Sequence, residues 1–211
     1  MRSNCGEESV TDWSDAVSAT TLDIAPDCSN IIVADGDETN SYIPYYGYNA
    51  DGKLQSQFIY PASLLTDLVG ATIDQVVFFT SASNKEHNGQ WELKIGECAD
   101  ETFSSTSYLS TSSLTQVYTG VMTVADGKVT LAFNTPYTYM GGNLLFDLRN
   151  NVGGSYQSNS FYGISSTGSS LGSTSGNTNT SGTQRNFLPK IQIGFCRVAS
   201  ICPTVDAPVA S

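Results

Sequence analysis

Positive charge is scarce in this sequence of 211 residues. It contains 9 Lys and Arg residues against 20 Asp and Glu residues, which gives a formal net charge of −11 at pH 7. Proteins that bind nucleic acid need a basic surface to contact the phosphates, so we expect no nucleic-acid partner. The chain also lacks a run of about 20 apolar residues, the length that a transmembrane helix requires. Insertion into a membrane is therefore not expected.

Histidine and clustered cysteine are also scarce. His87 is the only histidine, and the five cysteines form no C-x-x-C pair. A zinc site combines several such ligands at short spacings, so no zinc site is expected. A Ser-His-Asp triad or a cysteine nucleophile would have to use His87, which lies in a polar, turn-like segment. We therefore expect no enzymatic activity in this chain.

Serine and threonine fill the place of the missing charged residues. Together they form about a quarter of the chain, while charged residues are only 14% and there are 19 Gly and 11 Tyr. Few helix-forming Lys and Glu residues and many turn residues favour an all-β protein. Short apolar or alternating segments predict strands at 31–33, 57–60, 73–79, 91–95, 117–124, 129–133, 144–148 and 191–195.

Local signals add detail to this prediction. Asp126-Gly127 separates two alternating segments and supplies the two positive-φ positions of a type I′ hairpin turn. The leucines of 62–68 have helical spacing and predict one short helix. About nine strands at these spacings predict a two-sheet sandwich of the jelly-roll kind.

Residues 165–184 differ in composition from the rest of the sequence. Eighteen of these twenty residues are Ser, Thr, Gly or Asn, and none is charged. Such a segment has little apolar surface to bury. Because it lies between two strand signals, we expect a long surface loop that contributes nothing to the core.

Asp35, Asp37 and Glu38 place several oxygen donors on a turn directly after a strand. Calcium takes six to eight oxygen ligands and binds in loops of this kind, so these residues are the candidate ligands of one structural calcium ion. The alternative is a solvated acidic turn without a metal. Asp147, with Asn150 and Asn151, is a second oxygen-rich position at a strand end.

Four tyrosines crowd around Pro44 and Gly47 and are the candidate ligand-binding residues: Tyr42, Tyr45, Tyr46 and Tyr48. Exposed tyrosine rings stack on sugars or form the centre of a protein interface, because they combine apolar area with a polar tip. The alternative is that the rings pack in the core or at its edge. The sequence alone leaves both interpretations open.

The start of the chain leaves its compartment open. No apolar segment follows Met1-Arg2-Ser3, as a signal peptide would require. The chain is therefore either cytosolic, with reduced cysteines, or an excised piece of a longer exported protein. The odd number of cysteines leaves at least one thiol without a partner in the chain, which agrees with both alternatives.

The two ends of the sequence resemble fibronectin type III modules of bacteria. Residues 1–22 contain Trp13-Ser14 and Thr20-Thr21 in the arrangement of the last strand of such a module, and 202–208 (CPTVDAP) resembles the first strand of another. This resemblance divides the chain into the end of one module at 1–22, a junction at 23–30, a central domain at 31–196 and, at 197–211, a linker and the start of the next module. It also implies that Cys5 and Cys202 have lost their partners.

The central domain is similar to the cleaved-adhesin and hemagglutinin modules that accompany gingipain-type proteases of Gram-negative bacteria. The similar segments are 57–65 (QFIYPASLL), 70–79 (GATIDQVVFF), 117–120 (VYTG), 133–145 (FNTPYTYMGGNLL) and 187–191 (FLPKI). The resemblance implies a galactose-binding-like jelly roll, structural calcium in several members, and a place at the bacterial outer surface. It assigns no ligand residue to this chain.

The resemblance leaves Cys5 and Cys202 without partners. Cys28 and Cys196, which flank the central domain, are then the expected disulfide, and Cys98 is left as a free thiol.

The expected function is that of a non-catalytic adhesion module that binds a glycan or an extracellular protein and adjoins other modules of the same chain. The alternative is an accessory or spacer module of a secreted protease or glycoside hydrolase whose catalytic domain lies outside this chain.

Overall fold

The computed structural model describes residues 25–46, 53–82, 85–155 and 158–198, except for the side chains of 85–88. The β-strands of these ranges are β1 (Asp27–Val33), β2 (Glu38–Asn40), β3 (Gln55–Tyr60), β4 (Thr72–Phe79), β5 (Lys85–Cys98), β6 (Thr115–Ala125), β7 (Lys128–Thr138), β8 (Asn143–Val152), β9 (Phe161–Ser165), β10 (Ser170–Gly172), β11 (Thr183–Gln184), β12 (Phe187–Pro189) and β13 (Ile191–Arg197). Two short 3-10 helices, Ala62–Leu64 and Thr66–Leu68, occupy the segment for which the leucine spacing predicts one helix.

The long strands have the order of a jelly roll. One half of the sandwich contains β1-β13-β4-β7, and the other contains β6-β5-β8-β3 with β10 and β11 added at its edge. The halves are joined by the β6–β7 hairpin, whose ladder has only two residue pairs. A small sheet of order β12-β9-β2 completes the fold. The predicted all-β sandwich is confirmed, with more strands than the expected nine.

The hairpin turn has the backbone that its two residues predict. Asp126 and Gly127 have φ values of 50° and 69°, the positive values of a type I′ turn. Gly127 also lies close to the backbone at Thr80, because a Cβ atom on Gly127 would be 3.2 Å from the Thr80 carbonyl oxygen. The turn therefore connects the two halves of the sandwich without splaying the strands that enter and leave it.

The main core fills the space between the two halves. Phe58 of β3 stacks on Phe146 of β8, with ring centroids 5.1 Å apart, and meets Phe78 of β4 edge-on at 5.9 Å. All three rings are fully buried, so aromatic contacts join one half of the sandwich to the other. Alternation along each strand places these residues on the inner face.

A second apolar cluster lies on the outer face of β3 and β8. Ile59 and Leu145 point away from the main core and pack with Phe103 and Leu171, and all four are at most 4% exposed. Leu171 lies in β10, which pairs with β3. The expectation that 165–184 contributes nothing to the core is therefore wrong for 170–172, because backbone pairing with β3 buries even the serine and glycine of this strand.

A disulfide joins the first and last strands of the described domain. Cys28 of β1 lies opposite Cys196 of β13 in the antiparallel ladder, and their sulfur atoms are 2.04 Å apart. The bridge closes a loop of 168 residues in sequence separation. It places the chain's entry into the sandwich beside its exit.

Several expectations fall outside the described ranges. These are the module fragment at 1–22, most of the segment 197–211, and the residues Cys5, Cys202 and Tyr48. At the expected junction 23–30, β1 already begins at Asp27, earlier than the strand predicted from Ile31.

Neither of the two helices in the described ranges has the length and apolar character needed to cross a membrane.

Candidate functional site

An open cavity of about 270 Å³ lies where the chain passes from β10 to β11, at the edge of the sandwich. Its lining consists of hydroxyl, amide and glycine residues only: Gly172, Ser173, Thr174, Ser175, Asn179, Ser181, Gly182 and Thr183. Hydroxyl and amide groups both donate and accept hydrogen bonds. None of these eight side chains exchanges a proton near neutral pH, so the lining suits recognition of a polar molecule.

Hydrogen bonds to distant parts of the chain fix the shape of the cavity. The Ser173 amide donates to the Gln55 carbonyl of β3 at 2.8 Å, and the Gly182 amide donates to the Thr106 carbonyl at 2.9 Å. Within the loop, Asn179 Nδ2 donates to the Ser175 carbonyl at 2.8 Å. The loop is therefore held at both of its ends and braced in its middle.

Tyr108 packs behind the cavity. A Cβ atom on Gly182 would collide with the Tyr108 hydroxyl, so a larger residue at this position would require the Tyr108 ring to move. The Tyr108 hydroxyl donates to the Gln55 carbonyl at 3.1 Å. Burial raises the pKa of Tyr108 to about 12, a hydrogen bond with Ser173 opposes this shift, and the nearby charge of Asp147 adds to it. The phenol is therefore neutral at physiological pH and remains a hydrogen-bond donor.

Asp147 organises the polar part of the outer face beside this wall. It is 1% exposed, and its Oδ2 accepts from Gln57 Nε2 at 2.8 Å and from Gln55 Nε2 at 3.2 Å. Its Oδ1 accepts from Arg149 Nε at 2.5 Å. Arg149 Nη1 in turn donates to the Asn177 carbonyl at 3.3 Å, within the cavity loop. Both carboxylate oxygens of this oxygen-rich position are thus used by protein donors.

The candidate tyrosines do not share one environment. Tyr45 is 2% exposed, lies 4.8 Å from the Trp91 ring centroid, and accepts a hydrogen bond from Asn159 Nδ2 at 2.7 Å. It is therefore a core residue, and its candidate role as an exposed ligand contact is corrected to packing. Tyr42 and Tyr46 are only partly buried, with parallel rings whose centroids are 5.1 Å apart.

Arg185 completes this tyrosine pair to a stack of three groups. Its guanidinium carbon lies 3.7 Å from the centroid of the Tyr42 ring, within the range of a strong cation–π contact. Gly172 places the stack next to the cavity, because a Cβ atom on this lining residue would be 3.4 Å from the Tyr42 carbonyl and 3.8 Å from Arg185 Cγ. We call Tyr42, Tyr46 and Arg185 the stack. It was not predicted from the sequence, because Arg185 is far from the tyrosines along the chain.

Of the predicted calcium ligands, Asp35 and Asp37 lie on the turn between β1 and β2, and Glu38 is the first residue of β2. Asp35 forms an ion pair with Lys190, and Glu38 accepts a hydrogen bond from Ser165 Oγ at 2.5 Å. Asp37 is exposed. Within the described ranges, no three side chains of the His, Cys, Asp or Glu type come together in a group that could hold a metal ion.

Calcium at this turn stays a prediction with a direct test. If Asp35, Asp37 and Glu38 bind the ion together with backbone oxygens, calcium at a hundred times its Kd stabilises the folded state by about 2.7 kcal/mol. The melting midpoint measured with millimolar calcium is then several degrees higher than with a chelator. The same comparison with an Asp37→Asn variant should show a smaller difference. Equal midpoints in calcium and in chelator would count against the site.

Three further residues, His87, Cys98 and Ser170, have side chains that serve as catalytic groups in other proteins. His87 belongs to β5, but its side chain is among those not described. Cys98 is a partly buried free thiol, and burial raises its pKa. Residues 168–172 have the G-x-S-x-G pattern of a nucleophile elbow. The central Ser170, however, lies in strand β10, is fully buried, and donates to the Phe187 carbonyl at 2.6 Å.

Comparison with known proteins adds no assignment: no protein-family model matches this sequence, and no curated protein is significantly similar to it. The candidate site therefore depends on its own geometry. It consists of the hydroxyl-lined cavity, its wall at Tyr108 and the stack beside it.

Proposed function

We propose that this chain is a non-catalytic binding module of an exported, multidomain bacterial surface protein, and that it binds a glycan in the cavity between β10 and β11. The observation that carries the proposal is the cavity lining, which offers hydroxyl, amide and backbone groups to a ligand. A polyhydroxylated molecule matches such a lining, because each of its hydroxyls both donates and accepts. The resemblance to adhesin and hemagglutinin modules supports the same role.

The cavity favours a sugar over an apolar small molecule. Typical small-molecule sites measure about 300–1,000 Å³ and are lined mostly by apolar side chains. This cavity is smaller, at about 270 Å³, and its lining has no apolar side chain larger than glycine. A single sugar unit at the end of a chain, or at a branch, would be recognised here while the rest of the glycan extends into solvent.

The surroundings of the cavity favour binding without chemical turnover. The carboxylate of Asp147, which is linked to the cavity loop through Arg149, is occupied by Gln55, Gln57 and Arg149. The Tyr108 phenol is neutral and donates to a backbone carbonyl. These groups give the cavity a rigid wall, and rigid walls reduce the entropy that is lost when a ligand binds.

The alternative is a spacer or accessory module of a secreted hydrolase or protease. A spacer adds length when the chain enters at one end and leaves at the other. In this domain Asp27 of β1 lies opposite Arg197 of β13, so the two ends are side by side. This arrangement favours a module that presents a surface to an outside partner. Neighbouring modules of the same chain would still contact the domain at its two ends. The Cys28–Cys196 disulfide agrees with an exported location, where such bonds persist.

A glycan array followed by a cavity-filling variant tests the proposal. Ser175→Tyr replaces an exposed lining residue with a ring that fills the cavity. We expect binding to the best array ligand to weaken at least tenfold, with the melting midpoint unchanged. Ser63→Tyr, at an exposed serine of the first 3-10 helix, is the matched control and should bind like the wild type.

Two results would contradict the proposal. Equal binding by wild type and Ser175→Tyr would place the glycan site elsewhere on the domain. Failure of every glycan to bind, with capture of a purified extracellular matrix protein instead, would replace the sugar by a protein partner.

A further inference from the structure

Three positively charged side chains of the described ranges form ion pairs with carboxylates. Lys94 pairs with Glu92, Arg149 with Asp147, and Lys190 with Asp35. Arg185 has no carboxylate partner among the described residues, and its Nε is buried without a hydrogen bond there. In a chain of net charge −11, a partly buried cation without an acid is unusual and calls for an explanation.

The stack gives this cation a fixed orientation. The Arg185 guanidinium carbon lies over Tyr42, 3.7 Å from the ring centroid, and Tyr42 is itself stacked on Tyr46. Stacking engages the face of a guanidinium and leaves the N–H groups at its edge to bind an anion. The Arg185 amide donates to the Ser170 carbonyl at 3.0 Å, so the backbone is held as well. An immobilised guanidinium loses little entropy when it forms a bidentate contact.

Arg185 also lies beside the cavity. It follows Thr183 and Gln184 of β11, and its Cγ would be 3.8 Å from a Cβ atom on Gly172. Burial raises the pKa of Tyr108, which packs behind the cavity, and the positive charge of Arg185 opposes this rise. A cation and a set of hydroxyl and amide groups therefore adjoin each other at one site.

We propose that the sugar bound in the cavity is acidic, with its carboxylate or sulfate group on the Arg185 guanidinium and its hydroxyls on the Ser, Thr and Asn lining. This inference rests on the proposed function and specifies its ligand class. Planar guanidinium groups bind both kinds of anion through two parallel N–H donors. At 0.15 M ionic strength the Debye length is about 8 Å, so the net negative charge of the protein is largely screened while the direct contact is not.

Calorimetric titration with three oligosaccharides tests the ligand class. The probes are an oligogalacturonate, which carries carboxylates, a carrageenan oligosaccharide, which carries sulfates, and a neutral galactan oligosaccharide of the same length. We expect one of the two acidic probes to bind at least tenfold more tightly than the neutral one. Arg185→Gln should remove this preference, and Arg185→Lys should keep part of it, because lysine retains the charge without the planar fork.

A matched variant separates the specific contact from a general effect of charge. Lys128→Gln removes the same charge at an exposed position of β7 and should change affinity less than twofold. If Arg185→Gln lowers the melting midpoint, Arg185→Lys supplies the comparison. Equal weakening by Lys128→Gln and Arg185→Gln would overturn the inference.

The outcomes distinguish this inference from the proposed function. Binding of the neutral probe that is lost in Ser175→Tyr, with no preference for either acidic probe, overturns the acidic ligand and leaves glycan binding intact. Absence of binding by all three probes and on the array overturns both. Tighter binding of the carboxylate or of the sulfate probe identifies which anion Arg185 holds.

Discussion

Replacing Cys28 and Cys196 together by serine is expected to lower the free energy of unfolding by about 4 kcal/mol and by at most about 5 kcal/mol. The bridge closes a loop of 168 residues in sequence separation, and its main effect is to restrict the unfolded chain. Cys28 is exposed and Cys196 only partly buried, so the substitution removes little packing. Urea unfolding of the double variant measures the loss directly.

Cys98→Ser is the matched control, because Cys98 is a free thiol and is only partly buried. Its free energy of unfolding should differ from that of the wild type by less than about 1 kcal/mol, because serine is close to cysteine in size and Cys98 lies at the partly exposed border of the second apolar cluster. A double variant Cys28→Ser/Cys196→Ser as stable as Cys98→Ser would contradict the expected loop effect.

Asp147→Ala is expected to lower the free energy of unfolding by about 3 kcal/mol, the lower end of the range for breaking a buried ion pair. The Asp147 side chain is fully buried, and that of its partner Arg149 is 22% exposed. The variant removes one acceptor from this guanidinium and one from each side-chain amide of Gln55 and Gln57. The exposure of Arg149 limits the cost, because water partly solvates the abandoned charge.

A variant in which both partners of the ion pair are replaced checks the origin of this loss. Asp147→Leu/Arg149→Met replaces the pair by apolar groups and should be more stable than Asp147→Ala. Because Arg149 also donates to the Asn177 carbonyl, both variants should also weaken the proposed binding of a glycan in the cavity. An Asp147→Ala protein within 1 kcal/mol of the wild type, measured by urea unfolding, would show that the network carries little stability.

The long strands were predictable because their residues alternate between the core and the opposite face. Trp91, Leu93 and Ile95 face the core and alternate with Glu92 and Lys94, and the structure places them in β5. The Asp126-Gly127 turn was predictable for a different reason, because few residue pairs adopt two positive φ values. In both cases the signal is contained in neighbouring residues.

The short strands were not predictable in this way. Ser170–Gly172 and Thr183–Gln184 are β10 and β11, three and two residues of mostly polar composition. β10 is buried and paired by β3, more than a hundred residues earlier in the chain, and the exposed β11 pairs in turn with β10. The residues next to β10 in the sequence do not reveal that it pairs with β3, so the composition of this segment predicted an exposed loop.

The cavity was not predicted from the sequence because residues that are distant along the chain form it. For the tyrosines, the sequence left open which rings are buried in the core. The cavity takes its shape from bonds to Gln55, Thr106 and Tyr108, none of which adjoins the loop in sequence. Tyr42 and Tyr45 are of the same residue type three positions apart, yet Tyr45 packs on Trp91 and Tyr42 on Arg185. Only the three-dimensional fold distinguishes the core ring from the ring beside the cavity.

The pairing of β1 with β13 has a mechanical consequence for the proposed role of an adhesion module, which would be exposed to the pull of a moving fluid. A pull along the polypeptide reaches this domain at Cys28 and leaves it at Cys196, and these residues are covalently bonded to each other. The force therefore passes across the sulfur–sulfur bond and bypasses the sheets between them. Under tension transmitted along its own backbone, the domain should stay folded and its cavity should keep its shape.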